Sequence, residues 1–162
     1  MLLALVTGCA APLTQVLIVR HAEKADTSAD PDLSPAGQAR AQALAHVAAK
    51  AGVQAIFVTQ FRRTQQTAQP LAQQLGLPMV QVAASDTAGL VQRILARHAG
   101  QVVLVVAHSN TMAQIVSALG GPAIEPIREA DYDNLLVVLR PPKGPVRLLH
   151  LRYGSPSEHP RP

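Results

Sequence analysis

Apolar runs of strand length alternate with stretches of helical periodicity from Thr14 onward, and this alternation limits the fold more than any other feature of the chain. Strands are expected at Val16–Val19, Ala55–Thr59, Met79–Val82, Val102–Ala107, Leu135–Leu139 and Val146–Leu151. Several are unbroken apolar runs, as strands covered on both faces require. Between them, Ser34 reads as an N-cap with Pro35 at the first helical position, and Leu44, Val47, Ala48 and Ala51 form one apolar face that ends before Gly52. A second helix is expected from Phe61 to Leu75, stopped by Gly76, with Pro70 predicting a kink or a broken first half. Leu90, Val91, Ile94 and Leu95 mark a third, and Met112, Ile115, Val116 and Leu119, closed by Gly120 and Gly121, a fourth. Such a pattern implies an α/β fold: a doubly wound, mostly parallel sheet with helices on both faces and ligands at the carboxyl ends of its strands.

A chain of 162 residues fits one domain. That domain is expected over 14–153, with 1–13 as the remnant of a signal and a short linker, and 154–162 as a disordered tail rich in Pro and Ser. The net charge of +4 favours an anionic partner: nucleic acid, an acidic membrane surface or a phosphorylated substrate. Nucleic acid is disfavoured, because basic residues are scattered and aromatics make up only 2% of the chain, too few to stack bases.

Cys9 is the only cysteine, which excludes an internal disulfide and a cysteine-cluster metal site. The run Leu5-Val6-Thr7-Gly8-Cys9 resembles the end of a bacterial lipoprotein signal, with a small residue before the cysteine to be acylated. Only eight residues precede it and none is charged, so the basic region of a signal peptide is missing. The expectation is a start upstream of Met1, lipidation at Cys9 and a membrane-anchored or periplasmic location, the alternative being a plain cysteine in a cytoplasmic protein.

The chemistry concentrates at strand ends. Arg20-His21 follows the first apolar strand, His108 follows Val102–Ala107, and Arg63 opens the helix after the second strand. In a parallel sheet these positions converge on one edge, where guanidinium forks and imidazoles suit a phosphoryl group whose charge is spread over its oxygens. There is no Gly-x-x-x-x-Gly-Lys-Ser/Thr loop, no Gly-x-Gly-x-x-Gly and no His-Glu-x-x-His helix, and Gln15 stands where a cysteine phosphatase loop starting at Cys9 needs arginine.

Val19-Arg20-His21-Ala22-Glu23-Lys24 resembles the signature of the histidine phosphatase, or phosphoglycerate-mutase-like, superfamily, in which the catalytic histidine follows an arginine. Three further blocks in the same order strengthen the resemblance: Leu33-Ser34-Pro35-Ala36-Gly37, Arg63-Thr64-Gln65-Gln66-Thr67-Ala68, and Val106-Ala107-His108-Ser109-Asn110-Thr111. It implies that His21 attacks phosphorus, that Arg20 and Arg63 bind phosphoryl oxygens, and that His108 donates to the developing charge. Glu23, Ser109 and Asn110 are then candidate substrate-binding residues, Arg62 is the solvent-facing member of its pair, and Ala107, where the family usually has glycine, narrows the pocket. No metal or other cofactor is implied.

The family's carboxylic acid, which protonates a poor leaving group, has one candidate between Arg63 and His108, namely Asp86. Its place just before a helix fits an N-cap equally well, and Glu129, Asp131 and Asp133 form a weaker alternative. The small size resembles the phosphohistidine phosphatases, and the expected activity is hydrolysis of a phosphomonoester or of phosphohistidine on a protein. The alternatives are a mutase-type phosphoryl transferase and a catalytically silent lipoprotein that only binds anions.

Overall fold

The computed structural model describes residues 12–157, so Cys9 and its lipidation lie outside the described residues. The strands are β1 (Thr14–Arg20), β2 (Val53–Val58), β3 (Met79–Gln81), β4 (Val102–Ala107), β5 (Asn134–Arg140) and β6 (Arg147–Arg152). The helices are α1 (Pro35–Ala48), α2 (Arg62–Leu75), α3 (Thr87–Arg97) and α4 (Ser109–Ala118). All six strands join one sheet in the order β3-β2-β4-β1-β5-β6.

The four strands followed by helices pair in parallel, as their crossovers demand, whereas β5 runs antiparallel to β1 and β6 antiparallel to β5. No helix lies between β5 and β6, so only an antiparallel return is within reach of their short connection. Alternation along each strand then divides the core. Val16, Ile18, Phe57, Val103 and Val105 pack with Leu90, Ile94, Met112 and Ile115 of α3 and α4 on one face. Leu17, Val19, Ile56, Leu104 and Val106 pack with Leu44 of α1 and Leu71 of α2 on the other.

The helix signals act through identifiable bonds. Ser34 Oγ accepts from the Gly37 N–H at 3.1 Å, satisfying one of the unpaired donors of the first turn of α1. Gly121 N–H reaches Val116 O and Gly120 N–H reaches Ser117 O, both at 2.9 Å, and Gly120 holds the positive φ of 83° that ends α4 without a Cβ clash. Pro70 does not break α2, which runs as one helix through it. Proline removes a single N–H there, and its ring lies on the groove side of α2, away from the core.

Gly154 to Ser157, expected as part of a disordered tail, are tied down instead. Ser155 O accepts from Arg40 Nη2 at 2.9 Å, and Ser157 Oγ donates to Asp133 Oδ1 at 2.9 Å while accepting from Tyr132 N. Buried Arg40 is the hub: its Nε and Nη2 grip the Glu23 carboxylate at 2.7–3.0 Å, and Nη1 donates to Tyr153 O at 3.1 Å. One guanidinium thus ties the segment after β1 to the end of the chain.

Gly37 brings α1 onto that same segment. A Cβ built on it meets the carbonyl oxygen of Glu23, which already accepts from Ser34 N at 2.9 Å and cannot retreat without losing this bond. Ordinarily alanine stabilises a helix over glycine by about 1 kcal/mol. Here the overlap is with backbone, so Gly37→Ala is expected to destabilise the protein by about 1–3 kcal/mol. Chemical denaturation checks it, and a variant more stable than wild type would contradict the account.

Candidate active site

The β1–β4 register pairs Arg20 with Ala107, and the ladder continues one step further, where His21 N–H donates to Ala107 O at 2.9 Å. His21 and His108, each the next residue after its strand, therefore face each other with ring centroids 5.3 Å apart. They line a cavity of about 400 Å³ together with Lys24, Phe61, Arg63, Ser109, Asn110 and Glu129.

The His21 ring is oriented by its own segment. Nδ1 lies 2.8 Å from the carbonyl of Ala22, and since a carbonyl can only accept, Nδ1 carries the proton and Nε2 keeps its lone pair. Ala22 is held in turn, its N–H donating to Thr67 Oγ1 at 2.9 Å, and that hydroxyl donates to Arg63 O at 2.7 Å. The first turn of α2 is thereby fastened to the loop that carries the nucleophile candidate.

His108 is held by a chain of hydroxyls. Thr64 Oγ1 donates to Phe61 O at 2.8 Å, so it accepts from Thr59 Oγ1 at 3.1 Å, which leaves the Thr59 oxygen to accept from His108 Nε2 at 3.1 Å. Its backbone is fixed by Thr111 Oγ1, 3.1 Å from His108 N.

Charge and burial act on the two imidazoles alike. Burial lowers the pKa of His21 to about 3, aided by Arg20, His108 and Arg63 and opposed by the Ala22 carbonyl. His108 is lowered to about 4 by burial first and then by Arg63 and Arg20, with Glu129 opposing. Both rings are neutral at pH 7, the form in which an imidazole nitrogen can attack.

The two arginines are set differently. Arg20 is 1% exposed, stacks over the Tyr132 ring at 4.1 Å and donates from Nη1 to the backbone carbonyls of Arg128 and Glu129. Arg63 lies over the Phe61 ring at 4.2 Å, with Asp30 Oδ1 at 3.7 Å. The Nε atoms of both are buried with no hydrogen-bond partner among the described residues, a costly arrangement unless an oxyanion takes them. Arg62 does face solvent, its side chain 56% exposed against 14% for Arg63, and pairs with Asp30 and Asp32.

Of the expected site residues, His21, Arg63, His108, Ser109 and Asn110 line this cavity, and Arg20 lies behind it in contact with Glu129 of the lining. Glu23 does not: its carboxylate is taken by Arg40 and lines a separate depression with Gly154 and Ser155. Ala107 does not narrow the cavity either, because strand alternation turns its methyl into the core beside Met112. Asp86 accepts from Gly89 N at 2.9 Å as the N-cap of α3, and its exposed side chain lines a separate small pocket with Leu90 and Ile115 rather than the one around His21. The carboxylate that does reach the His21 cavity is Glu129. Asp131 pairs with Arg128, and Asp133 with Arg152 and Ser157.

Several contributors escaped sequence reading. Thr64 and Thr67 lie within the Arg63–Ala68 block without a role read for them there, and Thr59 lies outside it; all three act through hydrogen bonds that only the fold brings about. Phe61 and Tyr132 left a faint signal: the chain has only two Phe and two Tyr, and one of each flanks the site.

With this geometry in view, comparison with known proteins is informative. A family model for the histidine phosphatase superfamily (branch 1) matches residues 16–86. No curated protein matches the sequence. Among solved structures, the protein histidine phosphatase SixA in complex with tungstate superposes with a TM-score of 0.68 at 19% identity, covering 85% of this chain and 96% of that one. A structure described as a putative phosphohistidine phosphatase SixA from Agrobacterium tumefaciens gives 0.63 at 20% identity, covering 88% and 98%. The mycobacterial glucosyl-3-phosphoglycerate phosphatase gives 0.67 at 14% identity, covering 88% and 100%. At such identities these likenesses speak for the fold, while the family match spans the first strand, the Arg20-His21 pair and Arg63. Over residues 16–86, from the first strand through Arg63 to Asp86, the chain matches the histidine phosphatase superfamily model.

Proposed function

We propose that the protein is a phosphatase that hydrolyses phosphomonoesters or phosphohistidine through a phosphoryl intermediate on His21. The observation that carries this is the bond from His21 Nδ1–H to Ala22 O at 2.8 Å, which leaves a neutral ring with Nε2 free, in a cavity shared with Arg63, His108 and Ser109.

The reaction follows from these groups. The Nε2 lone pair forms a bond to phosphorus while the bond to the leaving group breaks, and the N–H donors of Arg20 and Arg63 receive the charge that builds on the phosphoryl oxygens. His108 lines the opposite wall, and its Nε2–H, held by Thr59 Oγ1, reaches the substrate by exchanging that hydroxyl for a phosphoryl oxygen. Water then attacks the phosphorus of phosphohistidine, the P–N pair returns to His21, and inorganic phosphate departs. Because the Asp86 carboxylate is engaged as a helix cap, substrates whose leaving group needs no strong acid, such as phosphohistidine or an aryl phosphate, fit this site best. The phosphatases among the structural relatives, two of them described as acting on phosphohistidine or a sugar phosphate, lend the same reading support.

Phosphate release from an alkyl and an aryl phosphate tests the nucleophile and the cap together. His21→Ala is expected to reduce both rates by about 10³–10⁶-fold, the scale on which loss of a nucleophile acts. Asp86→Asn is expected to change both by less than about threefold, because asparagine caps a helix as well as aspartate. Activity retained by His21→Ala would refute the mechanism, and a selective loss on the alkyl ester in Asp86→Asn would restore that residue as the acid.

The depressed imidazole pKa sets a pH dependence. A nucleophile with a pKa near 3 stays unprotonated well below the ordinary histidine range, so acidification does not disarm it until about pH 4. After correction for the substrate's own ionisation, kcat/KM for an aryl phosphate is expected to be flat on the acid side from pH 7 to about pH 5. A decline with its midpoint near 6.5 would show an ordinary histidine and contradict the burial argument.

A further inference from the structure

Glu129 stands out as a carboxylate in a cavity otherwise built to receive an anion. Its Oε2 lies 2.7 Å from Arg20 Nη2, and its Oε1 accepts from Ser109 Oγ. The two partners of this contact are in opposite surroundings. Arg20 is 1% exposed, whereas the side chain of Glu129 is 79% exposed and reaches the donors from the solvent side.

We infer that Glu129 is an internal competitor for the phosphoryl subsite: its carboxylate holds the Arg20 and Ser109 donors that a phosphoryl group must take, and so sets the affinity of the site. The inference rests on the pocket being a phosphoryl site and adds the residue that governs entry to it.

Three physical points support exchange of one anion for the other. A displaced Glu129 returns to water, where its charge is well solvated, so leaving costs little desolvation. Arg20 does not depend on the carboxylate for its position, because Nη1 is anchored by the carbonyls of Arg128 and Glu129 and the guanidinium face rests on Tyr132. A doubly charged phosphoryl group also offers more charge and more acceptor oxygens to the same cations, including Arg63 and Lys24. The Ser109 hydroxyl first, and Arg20 beside it, hold the Glu129 carboxyl below the usual glutamate range, so competition by the ionised form persists throughout the neutral pH range.

Neutralising Glu129 without changing its shape removes the competitor and the repulsion it exerts on an incoming anion. Titration calorimetry of the full chain with inorganic phosphate at fixed ionic strength reads this out, since it measures binding without requiring turnover. Glu129→Gln is expected to bind phosphate about tenfold more tightly than wild type, on the scale of one charge-assisted hydrogen bond. Glu125→Gln makes the same change of net charge at an exposed position outside the cavity and is expected to shift affinity less than twofold. Thermal unfolding of both variants confirms that each is folded. Phosphate binding in Glu129→Gln that is equal to or weaker than in wild type would overturn the inference, the weaker result meaning that the carboxylate positions the donors. Tightening to the same extent in Glu125→Gln would overturn it in favour of a general charge effect. If no variant, wild type included, binds phosphate, the reading of the pocket falls along with the inference.

Discussion

The hydrogen bond from His21 N–H to Ala107 O, at 2.9 Å, is the constraint from which the site follows. It extends the parallel ladder of two central strands by one residue past their carboxyl ends, so the chain leaves both strands at the same height. The next side chain on each is a histidine. A shift of one residue in this register would exchange the faces of β1, moving Val16 and Ile18 out of one core and Leu17 and Val19 out of the other. The packing that stabilises the sheet therefore also fixes the distance between the two imidazoles.

Electrostatics then gives those imidazoles their form. Arg63 lines one cavity with the two histidines and buried Arg20 lies close to both rings, and burial makes charge on the rings unfavourable, so the rings stay neutral while the guanidiniums remain cations. The resulting pocket holds permanent positive charge beside an unprotonated nitrogen, a combination suited to attack on a phosphoryl dianion. Glu129 offsets part of that positive field from the solvent side, and Asp30 does so near Arg63. The threonine network around Thr59, Thr64 and Thr67 supplies the rigidity that orientation of the reacting groups needs.

Much of this was legible in the sequence because its carriers are local. Arg20-His21 and His108 directly follow apolar strands, and Ser34-Pro35 and Gly120-Gly121 carry their cap chemistry in adjacent residues. What was not legible depends on contacts between distant segments. Glu23 sits within the signature beside His21 yet belongs to Arg40, whose pull comes from across α1. Asp86 satisfied two local patterns at once, and only the position of its carboxylate on Gly89 N shows the cap. Glu129 has no motif around it, since it enters the cavity from the connection between α4 and β5. The anchored Gly154–Ser157 segment likewise follows from tertiary neighbours, whereas the antiparallel β6 follows from the short helix-free connection after β5, and α2 runs unbroken through Pro70, which lines a groove.

The central claim is that His21 is presented with Nδ1 committed to the Ala22 carbonyl and Nε2 turned to the substrate. The most direct measurement is the regiochemistry of the phosphoenzyme: brief exposure of the protein to an aryl phosphate, an alkaline quench, and nuclear magnetic resonance of the phosphorylated histidine in the intact chain and in the peptide that contains it. The account predicts a phosphoramidate on Nε2 of His21, stable in alkali and lost in acid. Phosphate on Nδ1 of His21, on His108, or on an oxygen of any side chain would contradict it.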